Sequence, residues 1–461
     1  MKSIIALFFS LLAIGSQAQQ TYCPTTLSQD QLKWLRQFQS EIETKGLPSQ
    51  TAVITYVPVK FHILGNNEGK GYYSVSSLLR ALCDLNEDFL PAGLQFYFAE
   101  AIGYIDDDEL YAGNSDAIWF RSEDFKKENA VNVFFHGAGM QWCGVYFPGV
   151  DVVFVKNSCQ GSTATTLTHE LGHFFSLPHT FSGWEGGNDP GVWERLDGAN
   201  CRNAGDGFCD TKADYVSQRW SCPLPWTLKD QTGASFKPDS SIYMSYSSDQ
   251  CQSRFSEEQM ATMRANVASR SISTLTADIR ALPAPKLVFP QNLDSNISPT
   301  AVNFTWRKVA GAFAYHVQVA RFGDWNYINH DVLVYDTTTV LNLFGTWEYT
   351  WRVKAITNAY TCGSFGLADT FYTKETASGL VQTETQNSLN VYPNPTGGSQ
   401  FVNLESNEAC EIEIRNVQGS LIQSFRLEPK RLQQVSFEES GLYLVYCKQA
   451  ESVSVRKLLV D

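Results

Sequence analysis

At 461 residues, 43% hydrophobic and 13% aromatic, the chain is too long for one ordinary domain and has material for several cores, so roughly two to four domains are expected. Its formal charge of −13 offers no basic field to gather phosphates or anionic lipid, which argues against nucleic acid and membrane surfaces as partners. An acidic surface implies solubility and an affinity for cations.

The first residues follow signal-peptide grammar: Lys2, an apolar run from Ile4 to Ile14, then the small residues Gly15, Ser16 and Ala18 that a cleavage site needs. Residues 1–18 are expected to be removed, leaving Gln19 as the mature start of a short pro-segment at 19–50. The apolar run is too brief to span a bilayer, and no later stretch reaches spanning length. Within the pro-segment, residues 28–46 space Leu32, Leu35, Phe38 and Ile42 three or four apart between a Ser/Asp start and a Gly stop, predicting an amphipathic helix.

VPVKFHIL (57–64), VNVFFHGA (131–138) and VDVVFVKN (150–157) are β-branched and aromatic runs suited to buried strands, and residues 74–90 predict a helix between them. A helix among strands, followed by a histidine-bearing helix, predicts an α/β or α+β domain on a mixed sheet over 51–275.

THELGHFFSLPHTF (168–181) holds three of the chain's seven histidines. On a helix, positions four apart share a face, so His169 and His173 can hold one metal ion, and Glu170 beside them suits a water at that metal better than the metal itself. His179 reaches the same ion only if the helix ends. Ser176 is the expected turn, and Pro178 disfavours helix at Leu177 and sends an extended chain back. Three neutral imidazoles and a water make an open, tetrahedral, catalytic zinc site. His62 and His136 sit in apolar strand runs as core or rim residues, and His316 and His330 lie later in the chain without partners.

Export permits disulfides among the eleven cysteines, and an odd total leaves at least one unpaired or paired with another chain. Cys201, Cys209, Cys222 and Cys251 crowd one loop-rich segment where two local bridges are expected, with connectivity open. From about Pro283 the texture changes to alternating strands: FTWRKV (304–309), AYHVQVA (314–320), EYTWRVKAIT (348–357) and DTFYTK (369–374), an antiparallel sandwich over 285–375 with Trp306, Tyr315, Trp347 and Trp351 as core aromatics. After a polar linker the same pattern returns over 386–461 as a second small sandwich.

HELGHFFSLPH resembles the extended zinc motif of the metzincin peptidases, and SIYMSYSSDQC (241–251) resembles their methionine turn, with Met244 as the turn residue and Tyr246 two places on. With YFPGVDVVFV, GDGFCDT and RFSEEQMATMR, the likeness over roughly 50–270 is to the pappalysin branch. It implies a metzincin-like catalytic domain that hydrolyses peptide bonds through a metal-activated water, with Glu170 as general base and Tyr246 stabilising the oxyanion. It further implies calcium in the 205–211 loop through Asp206 and Asp210, and interlocked bridges Cys201–Cys222 and Cys209–Cys251. In related precursors a pro-segment cysteine blocks the zinc, a role Cys23 can fill against the simpler reading of a disulfide or lone thiol. Ser176 departs from the family, which has glycine there because the turn sits at positive φ; serine would cost about 1 kcal/mol.

The first sandwich resembles a fibronectin type III domain. The last segment, with YPNP, NVQGSLI, SGLYLV and the terminal KLLV, resembles the C-terminal sorting domains of type IX secretion. The reading is therefore a secreted, monomeric zinc endopeptidase acting on protein or peptide and exported by that machinery. Two alternatives stay open: a surface adhesion protein on an inactive protease scaffold, and a zinc amidase acting on a non-protein substrate.

Overall fold

The computed structural model describes residues 23–48, 53–137, 139–161, 163–270, 272, 279–374, 389–392, 394, and 401–460 apart from 407, 417–419, 430, 438 and 450–452. The expected signal peptide lies outside the described residues. Two compact units divide at Glu375 and Thr376.

The first unit opens with α1 (Gln29–Lys45), started by a capping box in which Ser28 and Gln31 exchange hydrogen bonds. Its buried face carries Leu35 and Ile42 as the spacing predicts, but also Gln39, whose side-chain amide donates to the Asp206 carbonyl (3.2 Å). Next come β1 (Thr55–Gly65), α2 (Val75–Phe89), β2 (Leu94–Phe98), β3 (Gly103–Asp106), α3 (Asp108–Tyr111), α4 (Ser115–Arg121), β4 (Val131–His136), β5 (Gly144–Phe147) and β6 (Val152–Lys156). The sheet order is β2-β1-β4-β6-β5, with β3 also paired to β1; all pairings are parallel except β5 with β6.

Parallel strands covered on both faces carry nearly unbroken apolar runs, and β4 and β6 do. Alternation then sorts their side chains. Val131, Val133 and Phe135 join one core with Val57, Val59, Phe61 and Ile63, against α1, α2, α5 (Thr166–Phe174) and α6 (Glu257–Ser269). Phe134, Val152 and Phe154 face the opposite layer with Leu110 and Ile118 of α3 and α4. A short hairpin, β7 (Leu228–Lys229) and β8 (Ser235–Phe236), lies between α5 and α6 in the chain.

The same unit contains a sandwich of β9 (Leu287–Phe289), β10 (Val302–Trp306), β11 (Ala314–Arg321), β12 (Ile328–Val334), β13 (Thr338–Leu341), β14 (Glu348–Ile356) and β15 (Asp369–Tyr372), in sheets β13-β10-β9 and β12-β11-β14-β15. Trp306, Tyr315 and Trp351 are buried in its core; Trp347, expected there, is 42% exposed because it sits in the turn before β14 with Arg321 stacked on it. Ala314 and Ile356, at the ends of β11 and β14, belong to the main core against the six-stranded sheet. Cys83 of α2 is bonded to Cys362, Phe98 N–H donates to the Asn358 carbonyl (2.8 Å), and the Thr361 hydroxyl donates to the Leu79 carbonyl (2.8 Å). His316, expected without partners, donates through Nε2 to Asp331 (2.6 Å), which also accepts from the backbone N–H (2.8 Å) and hydroxyl (2.6 Å) of Ser76 near the start of α2.

The second unit holds β16 (Asn390–Tyr392), β17 (Phe401–Glu405), β18 (Cys410–Asn416), β19 (Leu421–Leu427), β20 (Gln433–Ser436), β21 (Gly441–Lys448) and β22 (Val453–Val460). They form sheets β16-β17-β20 and β19-β18-β21-β22 around a core that includes Val402, Ile412, Val445 and Leu458, with Cys410 bonded to Cys447. No helix among the described residues is long and apolar enough to cross a membrane.

Candidate metal centre

Every residue of α5 is buried, so the polar side chains on this helix face protein, not solvent. The helix ends at Phe174, and Ser176 takes the left-handed conformation (φ 69°) with Leu177 N–H closing onto the Gly172 carbonyl (3.0 Å). The Ser176 hydroxyl accepts from the side-chain amides of Asn266 (3.0 Å) and Gln31 (3.3 Å), two hydrogen bonds that offset the conformational cost a glycine would avoid. Past Pro178 the chain delivers His179 back toward α5.

The Nε2 of His173 lies 3.1 Å from the Nε2 of His169 and 3.1 Å from that of His179. Each Nδ1 is engaged elsewhere: His169 donates to the Tyr243 carbonyl (2.7 Å), His173 to the Leu177 carbonyl (2.7 Å), and His179 faces Glu185 Oε1 at 3.5 Å. That fixes the protons on Nδ1 and turns three lone pairs toward one point. Burial pushes the His169 imidazole down to about 4 and holds His173 and His179 well below the usual histidine range, so all three rings are neutral at pH 7. Three buried lone pairs converging on one another repel unless a cation sits among them. A tetrahedral zinc with bonds of about 2.0–2.1 Å holds its nitrogens roughly 3.3 Å apart, close to the spacing here.

A fourth protein group lies beside the three imidazoles. Cys23 Sγ joins the three imidazoles in a group whose ligand atoms all lie within 4.8 Å of one another. It is the chain's free cysteine, the other ten being bonded in five pairs. Burial, then the neighbouring Glu170 carboxylate, hold its thiol well above the usual range. Cys23 Sγ donates to Glu170 Oε2 (3.3 Å), and the Thr25 hydroxyl reaches the same oxygen (3.2 Å). That hydroxyl also accepts from Tyr146 N–H (2.9 Å) and approaches the Tyr146 carbonyl (3.3 Å), on edge strand β5. The Tyr246 hydroxyl donates to the Cys23 carbonyl and accepts from the Cys23 N–H (3.1 Å). Burial raises the Glu170 carboxyl to about 8 and the Tyr246 phenol far above its ordinary range.

Met244 is fully buried beneath α5, and a side chain at Gly172 would run into its sulfur, which is why the helix carries glycine there. Gly144 on β5 is held by the same logic, since a Cβ would come within 2.7 Å of Glu170 Oε1.

The 201–251 segment corrects one expectation. Cys201 is bonded to Cys209 and Cys222 to Cys251, with Cα atoms 5.1 and 6.4 Å apart, so the bridges close two successive loops and are not interlocked as Cys201–Cys222 and Cys209–Cys251. Asp210, expected to bind a cation, caps α6, accepting from Ser256 Oγ (2.7 Å) and Glu258 N–H (2.8 Å). Asp206 remains available: Oδ1 accepts from Phe208 N–H (2.9 Å) and Thr211 Oγ1 (3.0 Å), while its buried Oδ2 has no protein donor. Glu194, which the sequence did not single out, lies against Gly205 with a buried oxygen equally without a donor. Burial, then the charges of Asp206 and Asp214, raise the Glu194 carboxyl to about 9; burial raises Asp206 to about 8.

A family model described as pregnancy-associated plasma protein-A peptidase matches residues 104–268, and one described as a secretion system C-terminal sorting domain matches 390–461. Among relatives, an extracellular metalloprotease of Colletotrichum graminicola is 29% identical over 241 residues, covering 46% of this chain and 75% of that protein. Extracellular metalloprotease 1 of Coccidioides posadasii is 27% identical over 246 residues, covering 48% and 80%. A solved promirolysin mutant of Tannerella forsythia is 19% identical, covers 53% of this chain and 92% of that one, and superposes with a TM-score of 0.37.

Proposed function

Because the chain carries a metallopeptidase domain of the pappalysin family and a type IX sorting domain, and is a secreted or cell-surface protein, we propose that it is a zinc endopeptidase stored as a self-blocked precursor. The observation that carries this reading is the convergence of three buried, neutral Nε2 atoms beside a buried glutamate.

His169, His173 and His179 would hold the metal, with Met244 buried beneath α5. Bound zinc supplies a Lewis acid that polarises the scissile carbonyl and makes a water acidic. Glu170 takes a proton from the attacking water as the water oxygen adds to the peptide carbonyl, then delivers the proton to the departing amine as the C–N bond breaks. Tyr246, freed from the Cys23 backbone, donates to the developing oxyanion. Tyr146 N–H and C=O, freed from Thr25, pair with the backbone of the substrate along β5.

In the precursor the Cys23 thiol would take a ligand position on the metal, so Cys23→Ala should cleave peptide before any processing. Asp206 and Glu194, with backbone carbonyls of their loops, hold calcium; the pair of buried oxygens without donors supports a hard cation there. The decisive experiment is zinc content and peptide hydrolysis for mature protein against Glu170→Ala. The variant should keep its zinc and lose about 10²–10⁴-fold in kcat. Equal, slow cleavage by both proteins would end the reading and leave the binding-scaffold alternative.

A further inference from the structure

We propose that Asp88 of α2 is a positioning residue for the metal ligand His169, an inference that rests on the zinc reading above. Nothing in the motif pattern points to Asp88; its geometry does. One carboxylate oxygen accepts from the Thr168 hydroxyl and the other from the Tyr243 hydroxyl, both at 2.6 Å. Thr168 immediately precedes His169 on α5. Tyr243 immediately precedes Met244, and its carbonyl is the group that receives the His169 Nδ1 proton (2.7 Å). A single carboxylate thus ties the two segments that meet at the metal, at the residue before the ligand on one side and at the ligand's own hydrogen-bond acceptor on the other.

Two charge-assisted bonds to rigidly held hydroxyls are short and directional, so Asp88 limits both rotation of α5 about its axis and sliding of the methionine-turn segment past it. Either motion would move the Tyr243 carbonyl off Nδ1, allow the proton to shift to Nε2, and remove one lone pair from the metal. Asp88 is itself well anchored. Five residues earlier on α2 is Cys83, bonded to Cys362, and Asn86 clasps the β2 backbone through Phe96 N–H (2.6 Å) and the Phe96 carbonyl (3.0 Å).

The test measures zinc, not turnover alone. Full-length protein and the variants Asp88→Ala, Asp88→Asn and Tyr243→Phe are compared by the zinc dissociation constant, the rate of zinc release to a chromophoric chelator, and thermal unfolding of the zinc-free forms. Asp88→Ala should weaken zinc binding about 10–100-fold, the range for loss of an outer-shell partner. Tyr243→Phe, the milder change, should weaken it in the same direction, and the double variant should fall short of the product of the two single effects because both remove one connection. Glu87→Gln, on the exposed side of the same turn, should match wild type. Asp88→Ala and Tyr243→Phe that melt earlier without zinc yet bind it within twofold of wild type would reduce Asp88 to scaffolding and overturn the proposal. Wild-type protein that takes up no zinc would overturn the zinc reading instead.

Discussion

The two β-sandwiches look alike in sequence and differ in what they are attached to. Both are read from the same alternation of apolar and polar residues, and each closes its own core. The terminal one is a compact unit by itself, with its disulfide, Cys410–Cys447, spent internally across neighbouring strands. The earlier one is part of the catalytic unit: its disulfide crosses to α2, its Asp331 clasps the start of that helix, and two of its residues lie in the core of the catalytic sheet. Strand patterning reports that a sandwich exists. Where its cysteines and buried polar groups find their partners decides whether it is a passenger or a wall.

The sharpest way to break this comparison is truncation. A chain ending at Glu375 should cleave peptide, once activated, with kcat/KM within about twofold of full length, surface-independent units behaving additively. A chain ending before Leu287 should fail to accumulate as soluble enzyme, because it exposes the apolar surface that Ala314, Ile356 and Phe313 cover. Soluble, active protein from the second truncation would show the earlier sandwich to be detachable.

Next in size are core and disulfide changes. Trp351→Ala should cost about 3–5 kcal/mol in chemical denaturation, whereas Trp347→Ala, on the exposed turn of the same strand, should stay within about 0.5 kcal/mol. Cys83→Ser with Cys362→Ser should lower the unfolding free energy of the catalytic unit by about 2–4 kcal/mol, and Cys410→Ser with Cys447→Ser should leave its melting transition unmoved.

A smaller effect tests the polar clasp. Asp331→Asn should cost about 1–3 kcal/mol, since a charged acceptor of four hydrogen bonds, from the Ser76 backbone and hydroxyl, His316 and the Gln318 amide, is replaced. Burial works against the Asp331 carboxylate, but the hydrogen bond from His316 and those from Ser76 hold its carboxyl down at about 2. Burial also lowers His316, more than its bond to Asp331 raises it, so at pH 7 a neutral ring donates to a carboxylate. Both folded-state values lie below the ordinary ones of about 3.8–3.9 and 6.5. The stabilisation is therefore complete above about pH 6.5 and is lost on acidification, first as the unfolded-state histidine binds protons and then as pH falls from about 4 toward 2. Denaturation of wild type and Asp331→Asn from pH 7 to 3 should show the gap narrowing; a constant gap would remove the pair from the account.

Much of this was legible in the chain. The strands at 57–64, 131–138 and 150–157 and the helices at 28–46 and 74–90 appear within a few residues of their predicted bounds, because long apolar runs and clean capping signals admit few alternatives. Shorter strands such as Leu94–Phe98 and Gly144–Phe147 carry too few residues to announce a period, and pairing with β1 and β6 makes them strands. At the site, the spacing of HELGHFFSLPH anticipates one point of convergence, since helix geometry and a proline set the reach. Glu194 and Asp88 were invisible: each is an isolated acidic residue whose meaning comes from what the fold brings against it. The disulfide pairing likewise depends on loop paths that spacing does not encode.

Thr25 has one more consequence. A peptide in position to be cut lends its own amide groups to Tyr146, laying its carbonyls in step along the rim. Here a side-chain hydroxyl, that of Thr25, stands in for them. On the self-blocked reading proposed above, a single threonine gives the fold a means of keeping its own stopper from being cut.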